Sequence, residues 1–223
     1  MRELYRADLE RLGRDLTEIA RLVHRAMIDA QEALESADVH GAERVISEDA
    51  RIDRLQESLD EQAVRILALQ APVATDLRTV VATLRMSSSL ERMGDLARHV
   101  AQLTRLRYPE HVIPAPVRPV FTAMCDAAVD VAEETVLLLE TQDLAHADRI
   151  HAVNEDVNAL HASVFRFIAA SDWTATPATT TDVTLASRYL ERFTDHGLSV
   201  AAKVRYLVTG EWAYHRGSET SGP

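Results

Sequence analysis

Apolar residues at positions 9, 12, 16, 19, 23, 27, 30 and 34 alternate spacings of three and four, which lines them along one face of a helix of about nine turns. A second stripe, at 45, 52, 55, 59, 63, 66 and 69, runs up to Pro72. A third begins at Thr75 or Asp76 and reaches about Arg107, with Leu77, Val80, Leu84, Leu90, Met93, Ala97 and Val100 on its apolar face. Short turns at SADVHG and APVAT separate the three. The segment YPEHVIPAPVRP, residues 108–119, holds four of the seven prolines; proline cannot continue a helix, so this segment is the expected linker.

The second half repeats the plan, with predicted helices over about Val117–Glu140, Leu144–Ala170 and Val183–Thr209 and a Thr/Pro-rich loop, SDWTATPATTTD, before the last. No stretch has the period-two alternation of a strand. The expected fold is all-α: two tandem antiparallel three-helix bundles related by internal duplication, over residues 1–108 and 117–210, with a disordered tail at 211–223. The duplication is visible in particular residues. LERMGD (residues 90–95) recurs one hundred residues later as LERFTD. The second and fifth helices align at an offset of 105, which pairs Asp38 with Asp143 as N-caps and sets Asp49 and Asp53 against Asn154 and Asn158.

Each LER-x-x-D motif carries two carboxylates four residues apart, Glu91 with Asp95 and Glu191 with Asp195. On a helix such a pair shares a face and repels by a few tenths of a kcal/mol unless something neutralises it. A cost repeated in both halves suggests a compensating partner, and Asp49 with Asp53 adds a second pair on the neighbouring helix. Oxygen-rich sets of this kind suit hard or borderline cations such as Mg, Mn, Ca or Fe. The alternative is a salt-bridged surface, with Arg92, Arg98 and Arg192 as partners. Gly94 and Gly197 interrupt helices, either for close helix packing or to leave room beside the carboxylates.

Charge narrows the partners. With 24 basic against 35 acidic residues, a formal net charge of −11 opposes attraction to nucleic acid or anionic lipid and favours cations and basic protein surfaces. Aromatic residues make up only 5% of the chain, too few for a base-stacking platform. The single cysteine, Cys125, has no internal disulfide partner, and the charged opening MRELYRADLERLGRD does not read as a signal peptide, so a cytoplasmic location is expected. No stretch approaches a membrane span, so any membrane association goes through partners.

LERMGDLARHVA, QAPVATDLR with Pro72, Asp76, Leu77 and Arg78, and the EDARID and EDVNAL helices together resemble the PhoU family of phosphate-signalling proteins, from about residue 3 to about residue 209. The resemblance implies a cytoplasmic negative regulator of the phosphate-starvation response. Such a protein links the ATPase subunit of a phosphate ABC transporter to a sensor histidine kinase; a homodimer is among the assemblies it allows. Some family members carry iron or other metal clusters (Mn, Mg and Zn are further candidates) on their Glu/Asp-x-x-x-Asp motifs. By that resemblance the metal-holding residues are Asp49, Asp53, Glu91, Asp95, Glu191 and Asp195, with Asn154, Asn158 and His196 as weaker members. Asn154 departs from the aspartate usual there and puts a second cluster in doubt, although His151 and His161 extend the same face.

No nucleophile elbow or phosphate-cradling glycine loop is present, and a regulatory adaptor that is not an enzyme is expected. A ferritin-like di-iron protein is the alternative. It needs Glu-x-x-His on two helices, and the chain has only Asp-x-x-His, at Asp143/His146 and Asp148/His151. No cluster of arginines converges on an evident anion site, so direct phosphate binding is not expected.

Overall fold

The structure is a computed structural model and describes residues 2–210; the tail expected to be disordered lies outside the described residues. Six long helices form the molecule: α1 (Arg2–Ser36), α2 (Val39–Gln70), α3 (Ala74–Arg107), α4 (Arg118–Thr141), α5 (Leu144–Ala169) and α6 (Pro177–Thr209). There is no strand among the described residues. Helices α1–α3 pack on one another as one bundle and α4–α6 as the other.

Local chemistry sets the boundaries. Asp38 and Asp143 cap α2 and α5, accepting from His40 N at 3.0 Å and Ala145 N at 2.9 Å, as their aligned positions predict. Helix α2 ends on Ala71 in the left-handed region, followed by Pro72. Helix α6 starts six residues earlier than its apolar stripe suggests. Thr176 accepts from Thr179 N at 3.1 Å and Pro177 takes the first helical position, where its missing N–H costs nothing. Half of the expected Thr/Pro-rich loop is therefore helix.

The two bundles share one core. Helices α3 and α6 lie antiparallel at the centre and make the most extensive contact in the molecule, flanked by α1 against α4. Buried side chains run continuously from Leu12, Met27 and Leu59 through Leu90 and Met93 to Met124, Phe121, Leu190 and Phe193. The proline-rich connection is anchored rather than free, since Val112, Ile113 and Val117 are buried. Cys125 is also buried, and burial pushes its thiol up, away from the reactive thiolate. Small residues let the central helices approach. A Cβ on Gly197 of α6 would lie 2.4 Å from Val131 Cγ1 of α4 and 3.7 Å from Met93 Cε of α3.

Two stripe positions do not join the core: Leu69 and Leu77 are exposed. Both lie near the α2–α3 turn, where no helix among the described residues covers the apolar face extrapolated from the sequence. Ion pairs tie the halves at their edges. Arg21 of α1 reaches Glu140 of α4 at 2.6 Å, and Arg107 at the end of α3 forms a two-pronged pair with the buried Asp182 near the start of α6.

Candidate functional site

The carboxylates of the first half gather where α2 and α3 pack. Asp49 is buried on α2, Glu91 and Asp95 are half-buried on α3, and Asp53 is half-buried one turn along α2. Gly94 sits at this approach, where a Cβ would lie 2.9 Å from the end of the Ile52 side chain at Cδ1 and 3.4 Å from Asp49 Oδ1. Burial raises the Asp49 carboxyl above the usual carboxylate range; Arg98 pulls it back, and Asp53 and Asp95 push it further up. Burial likewise raises Glu91, helped by Asp95, Asp53 and Asp49 and opposed by Arg92.

Arg98 supplies the cation this cluster requires. Its Nε lies 2.5 Å from Asp49 Oδ2, and its second nitrogen donates to Asp95 Oδ1. The Nε–H does not point along the line to Asp49, so that contact is an ion contact and not an aligned hydrogen bond. Burial works against the guanidinium charge, but the hydrogen bond to Asp95 and the charges of Asp49 and Asp95 outweigh it. Arg92 adds a second cation, 2.8 Å from Asp95 and 3.4 Å from Glu91. Four carboxylates suit a hard cation chemically, yet as placed they are not a metal cage. Among the described residues no three Asp, Glu, His or Cys side chains converge as ligands of one ion, and Arg98 stands between Asp49 and Asp95.

The second half is closed by neutral groups. Asn154, aligned with Asp49, is buried and accepts a hydrogen bond from Thr194 Oγ1 at 2.7 Å. Thr194 stands where the first motif has Gly94, so its side chain fills the space that glycine leaves open. Glu191 is buried and pairs with Arg188 at 2.6 Å, whereas Asp195 lies 4.0 Å from Arg192. Asn158 and His151 are exposed. His161 hydrogen-bonds Ser187 and stacks edge-on against Phe165, and His196 lies 3.5 Å from Arg192. Burial pushes both histidines below the usual imidazole value. The two motifs adjoin across α3 and α6, since the Arg92 charge reaches His196.

Comparison with known proteins decides what this duplicated frame is. Residues 16–104 and 121–204 each match the PhoU domain. The chain belongs to the PhoU family. It is similar to "Phosphate-specific transport system accessory protein PhoU homolog 2" of Mycobacterium bovis, 38% identical over 210 residues that cover 94% of this chain and 99% of that protein. Its fold matches the crystal structure of PhoU from Pseudomonas aeruginosa, with a TM-score of 0.80, 27% identity, and coverage of 93% of this chain and 100% of that one. It also matches the phosphate transport system regulatory protein PhoU from Streptococcus pneumoniae, with a TM-score of 0.84, 23% identity, and coverage of 94% and 99%.

In this PhoU chain the six motif carboxylates therefore fall into two unlike sets. Asp49, Asp53, Glu91 and Asp95 interact through a shared field around Arg98, while Glu191 and Asp195 are divided between separate arginines. Thr194 was not among the residues singled out from the sequence. The signal was available: Gly94 becomes Thr194 in the same pair of repeats in which Asp49 becomes Asn154, a coupled exchange of charge and space for amide and hydroxyl.

Proposed function

We propose that this PhoU-family chain is a cytoplasmic adaptor that holds the phosphate-starvation response off when phosphate is plentiful. It links the ATPase subunit of a phosphate ABC transporter to a sensor histidine kinase and performs no chemistry of its own. The observation that carries this reading is the match along nearly the full length of a relative named as an accessory protein of the phosphate-specific transport system. The net charge of −11 favours basic surfaces on the partners. No helix among the described residues is long and apolar enough to cross a membrane, so the reading brings the chain to the membrane through those partners.

The carboxylate set around Arg98 belongs to the same proposal as a charge-sensitive feature of α2 and α3. A hard cation such as iron, manganese or magnesium would have to compete with Arg98 for Asp49 and Asp95.

Capture of the tagged full chain from phosphate-replete cells tests the adaptor reading. Recovery of both the transporter ATPase and a histidine kinase is expected. Recovery of neither, after crosslinking, contradicts it.

A further inference from the structure

One cleft gathers cations in this acidic chain and plays no part in the carboxylate motifs. It lies where the start of α3 meets the end of α6 and has a volume of about 480 Å³, within the range of small-ligand pockets. Ala74, Leu77, Val81 and Ala82 form an apolar wall, and Arg78, Arg85, Lys203 and Tyr206 are its polar lining; no carboxylate among the described residues lines it. Residue spacing does not reveal it, because the cations come from two helices whose antiparallel pairing only the fold shows.

Two of these cations, Arg78 and Lys203, have no carboxylate partner among the described residues. Lys203 is half-buried and donates to Ser199 O at 3.0 Å and Ser199 Oγ at 2.6 Å. That uses two of its three donors, and it pairs with no Asp or Glu among the described residues. Burial, together with the Arg85 charge, lowers its ammonium below the usual lysine value, the mark of a positive charge without compensation. Arg78 likewise forms no ion pair among the described residues; its guanidinium lies over the Tyr206 ring, 5.0 Å from the centroid.

The duplication indicates that packing does not require the Lys203 charge, since its counterpart Leu103 is buried. At the offset of one hundred that relates the two motifs, Arg78, Arg85, Lys203 and Tyr206 correspond to Ala178, Leu185, Leu103 and Leu106. At that opposite end of the helix pair Leu103 is buried, whereas Ala178, Leu185 and Leu106 are exposed. Half-burying a lysine where the repeat has leucine carries a desolvation cost, and a bound anion would offset it.

We infer that this cleft binds a small multivalent anion carrying phosphate or carboxylate groups, held by Arg78 and Lys203 with Arg85 beside them and the apolar wall against the rest of the ligand. A guanidinium fork matches the paired oxygens of either group. This assignment stands on the geometry of the cleft and is independent of the adaptor reading.

Isothermal titration of the full chain at low ionic strength with inorganic phosphate, pyrophosphate and citrate tests it and separates phosphate from carboxylate ligands. At least one anion is expected to bind. Arg78→Gln and Lys203→Met should each weaken binding about tenfold or more, with Arg11→Gln, on the remote α1 surface, as the unchanged control. Circular dichroism of each variant checks folding, and Arg78→Gln carries the test if Lys203→Met does not fold. Binding of none of the three anions at 10 mM, or equal binding by folded variants, overturns the assignment.

Discussion

Thr194 Oγ1 donates to the Asn154 side-chain oxygen at 2.7 Å, at the place where the first repeat holds Gly94 beside Asp49. Both partners are buried, so removing the donor strands a buried acceptor, at a cost of about 1–3 kcal/mol. Thr194→Val should lower stability in urea unfolding by that amount. The double variant Asn154→Leu/Thr194→Val should recover part of the loss, because apolar replacement of both partners leaves nothing unpaired. A single variant as stable as the parent would show that the contact contributes nothing.

Arg98 should be required for the stability of the first-half cluster. Its side chain is 26% exposed against 9% for Asp49, between the surface pairs that contribute little and the fully buried pairs whose disruption costs most. Arg98→Ala should destabilise the chain by about 1–3 kcal/mol. Removing the guanidinium also frees the carboxylates, so added Mg or Mn should raise the thermal midpoint of Arg98→Ala more than that of the parent. Equal responses to metal would show that Arg98 and a metal do not compete.

The two helical glycines should respond differently to alanine. At Gly197 a Cβ would lie 2.4 Å from Val131 Cγ1 in the packed centre, and overpacking of this kind costs about 1–3 kcal/mol. At Gly94 the nearest atom, 2.9 Å away, is the far end of Ile52, which can turn aside, and alanine gains about 1 kcal/mol of helix propensity. Denaturation midpoints should show Gly197→Ala clearly destabilised and Gly94→Ala near the parent. The reverse order would contradict this account of the close approaches.

Three histidines make stability depend on pH. Burial lowers His99, His161 and His196 below their ordinary value. His99, stacked on Tyr189, also feels Arg98 and Arg92, with Asp95 opposing them. Each binds its proton less tightly folded than unfolded. Their contribution is therefore present above the unfolded value of about 6.5 and is lost as pH falls through the lowered folded values. Asp49 and Glu91, whose folded values are raised, act with the opposite sign further into the acid range. Urea unfolding at pH 7.5 and pH 6 should show lower stability at pH 6, with a smaller difference in His99→Gln. A chain more stable at pH 6 would contradict the burial of these rings.

Six helices and their duplication were legible because amphipathic periodicity and capping are local properties. Asp38 and Asp143 cap where their aligned positions require. The early start of α6 was written in Thr176 and Pro177, but the apolar stripe begins only at Val183 and drew the boundary there. Leu77 obeys the stripe yet lines the open cleft between α3 and α6 and stays exposed. Spacing placed Glu91 and Asp95 on one face, and Arg92 and Arg98 were visible as partners. That Arg98 stands between Asp49 and Asp95 depends on how α2 approaches α3, which periodicity does not encode. The meeting of Arg78 with Lys203 depends in the same way on the antiparallel pairing of α3 and α6.

A phosphate-starvation reporter, read in phosphate-replete cells after deletion of this gene and of any second copy, tests the regulatory role most directly. High reporter activity, returned to low by the wild-type gene, is the result expected of a repressive adaptor. A reporter that stays low in the deleted strain would contradict it.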